Sequence, residues 1–510
     1  MISQGLQSQR TVFLLAAILS VAALLLGACQ SQVASLSAAA SEAGAQPVAL
    51  QEATPVPEEP LPTPFPSRPL YAPGELVDYI AQTGDTLPAL AVRFNTSVVE
   101  ILEANPFIPS SATTLPPGMP MKIPIYYLPL WGSPYQIIPD SQFINGPAMV
   151  GFDTKNFVDS HPGWLKNYIG YVADMNRSGA EIVDYVALHW SVSPRLLLAL
   201  LEYQAGALSQ PVLAPGLEAF PLGHRSWTHK GLYMQLIWAA NTLNNGYYTW
   251  RNARLTSIEY QDERLERFDP WQNAATVSLH YYFNRLMPYE DYMRAIAPEG
   301  LARTFQDLFG DPWLADQPHI PGSLVQPEFI LPFELGSVWA FTGGPHTGWG
   351  NGEPLAALDF APPAVSQGCV ATSQWATAVA PGVVVRSETG IVVLDLDGDG
   401  DERTGWTVLY LHLETDGRAA VGAVLERGAP VGHPSCEGGS STGTHIHIAR
   451  KYNGEWMLAE GIEGILAFNL EGWVAQNGSQ PYQGRLTRFS QTVIACQCSN
   501  QRSFIKSERR

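Results

Sequence analysis

The sequence predicts a multidomain α+β protein with a small βααβ module, a mainly α-helical middle and a C-terminal part that is mostly antiparallel β. Three observations lead there. At 510 residues the chain exceeds what one core usually holds. Helical periodicity dominates 130–325, and from 331 onward short β-rich runs alternate with Gly, Pro and Asp turns. The composition is globular, 46% hydrophobic and 15% charged, and the net charge of −18 excludes nucleic acid as a partner, since phosphate needs a basic surface.

The N-terminus opens with "SQR", then the uncharged "TVFLLAAILSVAALLLGAC", then polar "QSQ". This is the pattern of an export signal over residues 1–29, although an apolar run of this length can also span a bilayer. "LGAC" (Leu26 to Cys29) resembles the bacterial lipobox. The resemblance implies lipidation of Cys29 and a mature chain tethered to the outer face of the cytoplasmic membrane, at the cell wall. Residues 30–75, with "TPVPEEPLPTPFPSRP", bury too little apolar surface to offset ordering entropy and read as an extended spacer.

Residues 76–125 read as strand, helix, helix, strand. Thr83 or Asp85 can cap the first helix, whose Leu87, Leu90, Ala91 and Phe94 share a face; Asn95, Thr96 and Ser97 interrupt before Val98, Val99, Ile101 and Leu102 resume the pattern. "GDTL" (84–87), "EILEANP" (100–106) and "LPPGMPMKIP" (115–124) resemble the LysM domain. That resemblance implies binding to N-acetylglucosamine-containing glycan, so peptidoglycan is the expected partner.

In the middle region, Ser193 is an expected N-cap and Pro194 the first helical residue, while a helix through 229–251 is expected to stop near Asn245–Gly246. "ALLEYQAG" (199–206) is weakly similar to the catalytic helix of lytic transglycosylases. Gln204 stands where that family has its glutamate, and an amide cannot protonate a glycosidic oxygen. Glu202 lies two positions away, on a different face of the helix.

The C-terminal region, 331–500, carries five residues that ask for a common explanation. "GTHIHIAR" (443–450) puts His445 and His447 on one face of a strand, about 6.6 Å apart. In "TVLYLHLE" (407–414), alternation places Val408, Tyr410 and His412 on one face and Leu409, Leu411 and Leu413 on the other. His346 falls in a Gly-rich turn and Asp359 follows the strand-like "LAAL". Two neutral imidazoles and a carboxylate suit zinc with an open fourth position, and further histidines can then move protons.

The landmarks "GGPH", "ALDF", "VAPGVVV", "YLHL", "GAPVGHPS" and "STGTHIHI" resemble the LytM/lysostaphin/beta-lytic zinc endopeptidases. That resemblance implies one zinc ion held by His346, Asp359 and His447. It makes His412 and His445 the catalytic pair that positions or deprotonates water and stabilises the oxyanion. The long step from His346 to Asp359 is similar to the beta-lytic branch. A peptidoglycan endopeptidase is therefore expected, with a non-catalytic wall-binding scaffold as the alternative, in either case as a monomer.

Beyond Cys29, an even set of four cysteines in an exported chain favours disulfides. Cys369–Cys436 with Cys496–Cys498 is preferred among the three connectivities. "DLDGDGDE" (395–402) looks like a calcium loop but reads more simply as a solvated hairpin turn. Residues 501–510 are expected to be a polar tail.

Overall fold

The computed structural model describes residues 68–260, 262–364, 366–497 and 500–508. The signal segment 1–29, Cys29, most of the 30–75 spacer and Cys498 lie outside these residues. Among the described residues, no helix is long and apolar enough to cross a membrane.

The first module runs through β1 (Glu75–Ile80), α1 (Leu87–Arg93), α2 (Val98–Ala104) and β2 (Pro120–Ile125). β1 and β2 pair antiparallel from Glu75↔Ile125 to Ile80↔Pro120. Leu87, Leu90, Ala91 and Phe94 are buried on one side of α1, as the periodicity predicts. The cap of α1 differs from expectation. Thr86 accepts from the Ala89 N–H, whereas Asp85 is occupied by the Tyr79 hydroxyl, the Gln82 N–H and the Arg93 guanidinium. Ser97 and Glu100 form a capping box at the start of α2. Ordered packing begins before the expected end of the spacer, because Arg68 pairs with Asp269 at 2.8 Å and Tyr71 lies against Trp131 and Trp271.

In the middle region α3 (Gly179–Trp190) ends at Ser191 in the left-handed conformation, and α4 (Pro194–Ala205) restarts with Ser193 as cap and Pro194 at N1. α5 (Leu232–Arg251) runs straight through Asn245–Gly246, which corrects the expected stop there. An ideal Cβ on Gly246 would lie 2.8 Å from Ser278 Cα in α6 (Ala274–Leu286). The glycine lets the two helices approach and does not cap.

The C-terminal region is built on one sheet. Its main strands are β3 (Val338–Thr347), β4 (Leu355–Ala361), β5 (Gly382–Glu388), β6 (Gly390–Asp395), β7 (Trp406–Leu413), β8 (Ile446–Tyr452) and β9 (Phe504–Lys506). They lie in the order β5-β6-β7-β8-β4-β3-β9, each pair antiparallel. The polar tail expected at 501–510 is thereby corrected. Ile505 is buried, and β9 pairs with β3 from Phe504↔Ala340 to Lys506↔Val338, which covers an otherwise open sheet edge.

The sheet's two faces have different partners. Leu358, Phe360, Val408, Tyr410, Ile446 and Ile448 build a core within the C-terminal region. Ala357, Leu409, Leu411 and Ala449 on the opposite face join the core of the helical region. A buried polar node ties the two together. Glu455, just beyond β8, accepts from the Tyr247 hydroxyl, from Arg251 and from His319. Burial pushes its carboxyl up, but Arg251 and His319 outweigh this and hold it at about 2.

Candidate metal centre

His346, Asp359 and His447 come from three neighbouring strands, and register alone aligns two of them, since His447 stands directly opposite Asp359. His346 is at the end of β3, in a strand with register shifts between Phe341 and Thr347, and not in the Gly-rich turn that was expected. The glycines serve close approach: Gly343 faces Asp359, and an ideal Cβ there would lie 2.8 Å from Asp359 Cγ. The bulged end of β3 then swings His346 over the other two.

The three groups are 1%, 6% and 6% exposed. His346 Nε2 is 2.9 Å from His447 Nδ1 and 3.1 Å from Asp359 Oδ1, and His447 Nδ1 is 3.4 Å from the same oxygen. The opposite ring nitrogens fix the tautomers. His346 Nδ1 donates to the Gly344 carbonyl at 2.8 Å and His447 Nε2 to the Gly348 carbonyl at 3.1 Å. A carbonyl can only accept, so each proton sits on the outer nitrogen. Two lone pairs and a carboxylate oxygen without a hydrogen-bond partner therefore converge with no donor among them.

Such a trio repels itself unless a cation lies between its members. Tetrahedral ligands at zinc distances sit roughly 3.3 Å apart, close to the separations found, and the backbone acceptors behind both imidazoles are the usual outer support of metal-binding histidines. The residues fit zinc. Burial would raise the Asp359 carboxyl, and only positive charge in this pocket, on the facing His346, His447 and His445 or on a cation between neutral rings, holds it far below the ordinary carboxylate range. Burial likewise lowers His447.

His445 and His412 stand beside this trio. His445 Nε2 is 3.9 Å from Asp359 Oδ1, and the His412 and His445 ring centroids are 4.5 Å apart. Both Nδ1 atoms are bound to carbonyls, His412 to Glu437 at 2.9 Å and His445 to Gly443 at 2.7 Å. Among the described residues no hydrogen bond reaches either Nε2 atom, and these are the ones left for chemistry. Burial, then the neighbouring His445 and His447, lowers His412 to about 4, so it is a neutral base at pH 7.

The alternation expected for β7 fails at His412. Its φ of 67° and the register shift between Gly390 and Ile391 insert an extra residue. Leu413 thereby joins Val408 and Tyr410 in one core, and His412 lies with His447 on the other side.

The sequence reading missed Tyr482, whose ring stacks on His346 at 4.1 Å. Burial and Asp359 raise its hydroxyl. Nothing in "QPYQG" marks it. The reading also missed the four carbonyls behind the imidazoles, because a backbone acceptor has no residue signature. Cys369 and Cys436 are joined as preferred, Cys496 is also disulfide-bonded, and Cys498 lies outside the described residues. Asp395, Asp397 and Asp399 approach one another, but the Asp395 carboxylate already accepts from the N–H groups of Asp397 and Gly400. In α4, Glu202 accepts from the N–H groups of Leu208 and Ser209 and so ties down the turn after the helix, and Gln204 bonds the Tyr282 hydroxyl.

Fold and site together define a chain that carries a LysM domain and a region similar to the LasA and beta-lytic metallopeptidases. Residues 79–124 match the family described as LysM domain, and residues 136–322 match LasA, N-terminal domain. Protease LasA of Pseudomonas aeruginosa is 25% identical over 318 residues, 58% of this chain and 72% of that protein. Beta-lytic metalloendopeptidase of Achromobacter lyticus is 30% identical over 152 residues, 28% of this chain and 38% of that protein. Among solved structures, the M23 metalloprotease pseudoalterin matches with 22% identity and a TM-score of 0.28, covering 34% of this chain and 96% of that one. The middle region, for which the sequence suggested a likeness to lytic transglycosylases, matches the LasA N-terminal family over 136–322.

Proposed function

We propose that this protein is a zinc-dependent endopeptidase that cleaves peptide bonds in the stem peptides or cross-bridges of peptidoglycan. In this reading a lipid on Cys29 holds it at the outer face of the cytoplasmic membrane, and the LysM domain raises the local concentration of wall substrate. One observation carries it: the three proton-free acceptors of His346, Asp359 and His447, flanked by two histidines whose Nε2 atoms are unclaimed.

Zinc, when bound there, supplies a Lewis acid that polarises the scissile carbonyl and makes water acidic enough to attack at neutral pH. The chain's own residues do the rest. His346 Nε2, Asp359 Oδ1 and His447 Nδ1 would hold the ion, with the Gly344 and Gly348 carbonyls keeping both rings oriented. His445 Nε2, next to the carboxylate, takes the proton from water. The proton released by water passes on to the leaving amine, either from His445 Nε2 directly or by way of His412 Nε2, which carries only a lone pair until it receives that proton. Glycan cleavage by the helical region is not part of the proposal, since its Glu202 carboxylate is tied to backbone N–H groups.

The burial of the three candidate ligands is the observation that favours the alternative, a wall-binding scaffold without turnover. Zinc-loaded full-length protein incubated with peptidoglycan separates the two. New amino termini should be released, and His447→Ala should release none. If both proteins leave the wall peptides intact, the scaffold reading replaces this one.

A further inference from the structure

The two proton-handling histidines are both oriented by one loop. Glu437 and Gly443, whose carbonyls accept from His412 and His445, belong to "CEGGSSTGT" (436–444). Three glycines in so short a loop give the backbone little preference of its own; Ser441 Oγ donates to the Gly443 carbonyl at 2.8 Å and Thr415 holds the Glu437 carboxylate, while the two ends of the loop are fixed from outside it.

One segment does this at both ends. Cys369 is bonded to Cys436 at the start of the loop. Its two neighbours grip Thr444 at the end. The Thr444 N–H donates to the Gly368 carbonyl at 3.1 Å, the Val370 N–H donates to Thr444 Oγ1 at 2.8 Å, and that hydroxyl donates to the Val370 carbonyl at 2.6 Å. Ser435, next to Cys436, ties the two histidine backbones together: its N–H donates to the His412 carbonyl at 2.6 Å and its carbonyl accepts from the His445 N–H at 3.4 Å.

We propose that the Cys369–Cys436 disulfide and Thr444 form a splint that positions His412 and His445, holding both as Nδ1–H tautomers with Nε2 turned to the candidate metal site. Cys369, Cys436 and Thr444 are positioning residues, since none of them touches the reacting atoms. The inference rests on the endopeptidase reading, because it assigns those two imidazoles to proton transfer. It goes beyond a stabilising cross-link, which would restrict the unfolded chain and leave ring tautomers unchanged. The trio of His346, Asp359 and His447 is supported from other segments, by the Gly344 and Gly348 carbonyls, so loosening the splint should spare metal binding.

The test compares the zinc-loaded full chain with Cys369→Ala/Cys436→Ala and with Thr444→Val, following ring-nitrogen NMR signals, zinc content, kcat and KM. Wild type should show His412 and His445 as single Nδ1–H tautomers. Each variant should keep one zinc per chain and a KM within about twofold of wild type. Each should also show mixed tautomers and a kcat lowered about 10- to 100-fold, as for loss of outer support at other sites. A folded variant with pure Nδ1–H signals at both rings and wild-type kcat overturns the splint. Should the cysteine pair prove necessary for folding, Thr444→Val decides alone. Should wild type cleave nothing, the endopeptidase reading fails, and the tautomer signals by themselves still decide the splint.

Discussion

Replacing Gly343 by alanine tests the geometry of the candidate metal site without removing any of its polar atoms, by driving a methyl against the Asp359 carboxylate, whose Oδ2 is the nearest atom. The added Cβ would sit 2.8 Å from Asp359 Cγ, whereas carbon atoms pack at about 3.5–4.0 Å. The carboxylate must retreat by roughly 0.7–1 Å, since β3 and β4 are paired at that very position. Zinc tolerates departures of only about 0.2 Å in ligand distance, so Asp359 leaves the set and two imidazoles remain. Overpacking of this kind costs about 1–3 kcal/mol of stability, which a chain of this size survives. The expected result is a folded protein with zinc affinity lowered at least about 100-fold, at or beyond the upper end of what losing an outer partner costs. Zinc content after gel filtration, chelator competition and thermal unfolding measure it. Gly432→Ala is the control, because its Cβ meets only ordinary contacts with Leu413. If Gly343→Ala binds zinc as wild type does, the close approach of β3 to Asp359 does not set the site, and the argument from the glycines is wrong.

Two further outcomes follow from the packing around that sheet. Glu455 is held from 4.5 down to about 2 in the folded chain, so its contribution is complete above pH 4.5 and fades as pH falls toward 2. It amounts to about 3 kcal/mol. Urea unfolding between pH 5 and pH 2.5 should therefore show a flatter pH dependence for Glu455→Gln than for wild type, and equal slopes would remove Glu455 from the explanation. Gly246→Ala should destabilise by about 1–3 kcal/mol because the methyl meets Ser278 Cα. A gain in stability, as expected for an ordinary exposed helix position, would mean that α5 and α6 are not in close contact there.

Local chemistry was legible wherever it is written in side chains. The βααβ order of residues 76–125, the Ser193–Pro194 start of α4 and the Cys369–Cys436 pairing all appear as the sequence reading anticipated. Two of the misreadings share a cause. Gly246 looked like a helix stop and 501–510 like a tail because each is decided by a partner distant in sequence, Ser278 for one and β3 for the other. A single residue cannot announce a contact that another segment supplies.

His412 shows the same limit inside the site. A strict period of two puts it beside Tyr410, and by that rule it could not meet His447, because Tyr410 pairs with Ile448 while Leu411 pairs with His447. The residue joins the others only because the chain turns left-handed there, at φ 67°. Strain of this kind in a non-glycine residue costs of order 1–3 kcal/mol and persists when the surroundings over-determine it. Here the surroundings are the Glu437 carbonyl on the ring and the Ser435 N–H on the backbone carbonyl. The bulge and the disulfide-anchored loop thus support each other: the Glu437 carbonyl braces a left-handed turn that the Leu411↔Ile391 and Leu413↔Gly390 pairs bracket, and without the turn the ring faces the wrong core. Strand register aligns Asp359 with His447, and the β7 bulge with the disulfide-anchored loop brings His412 and His445 to them.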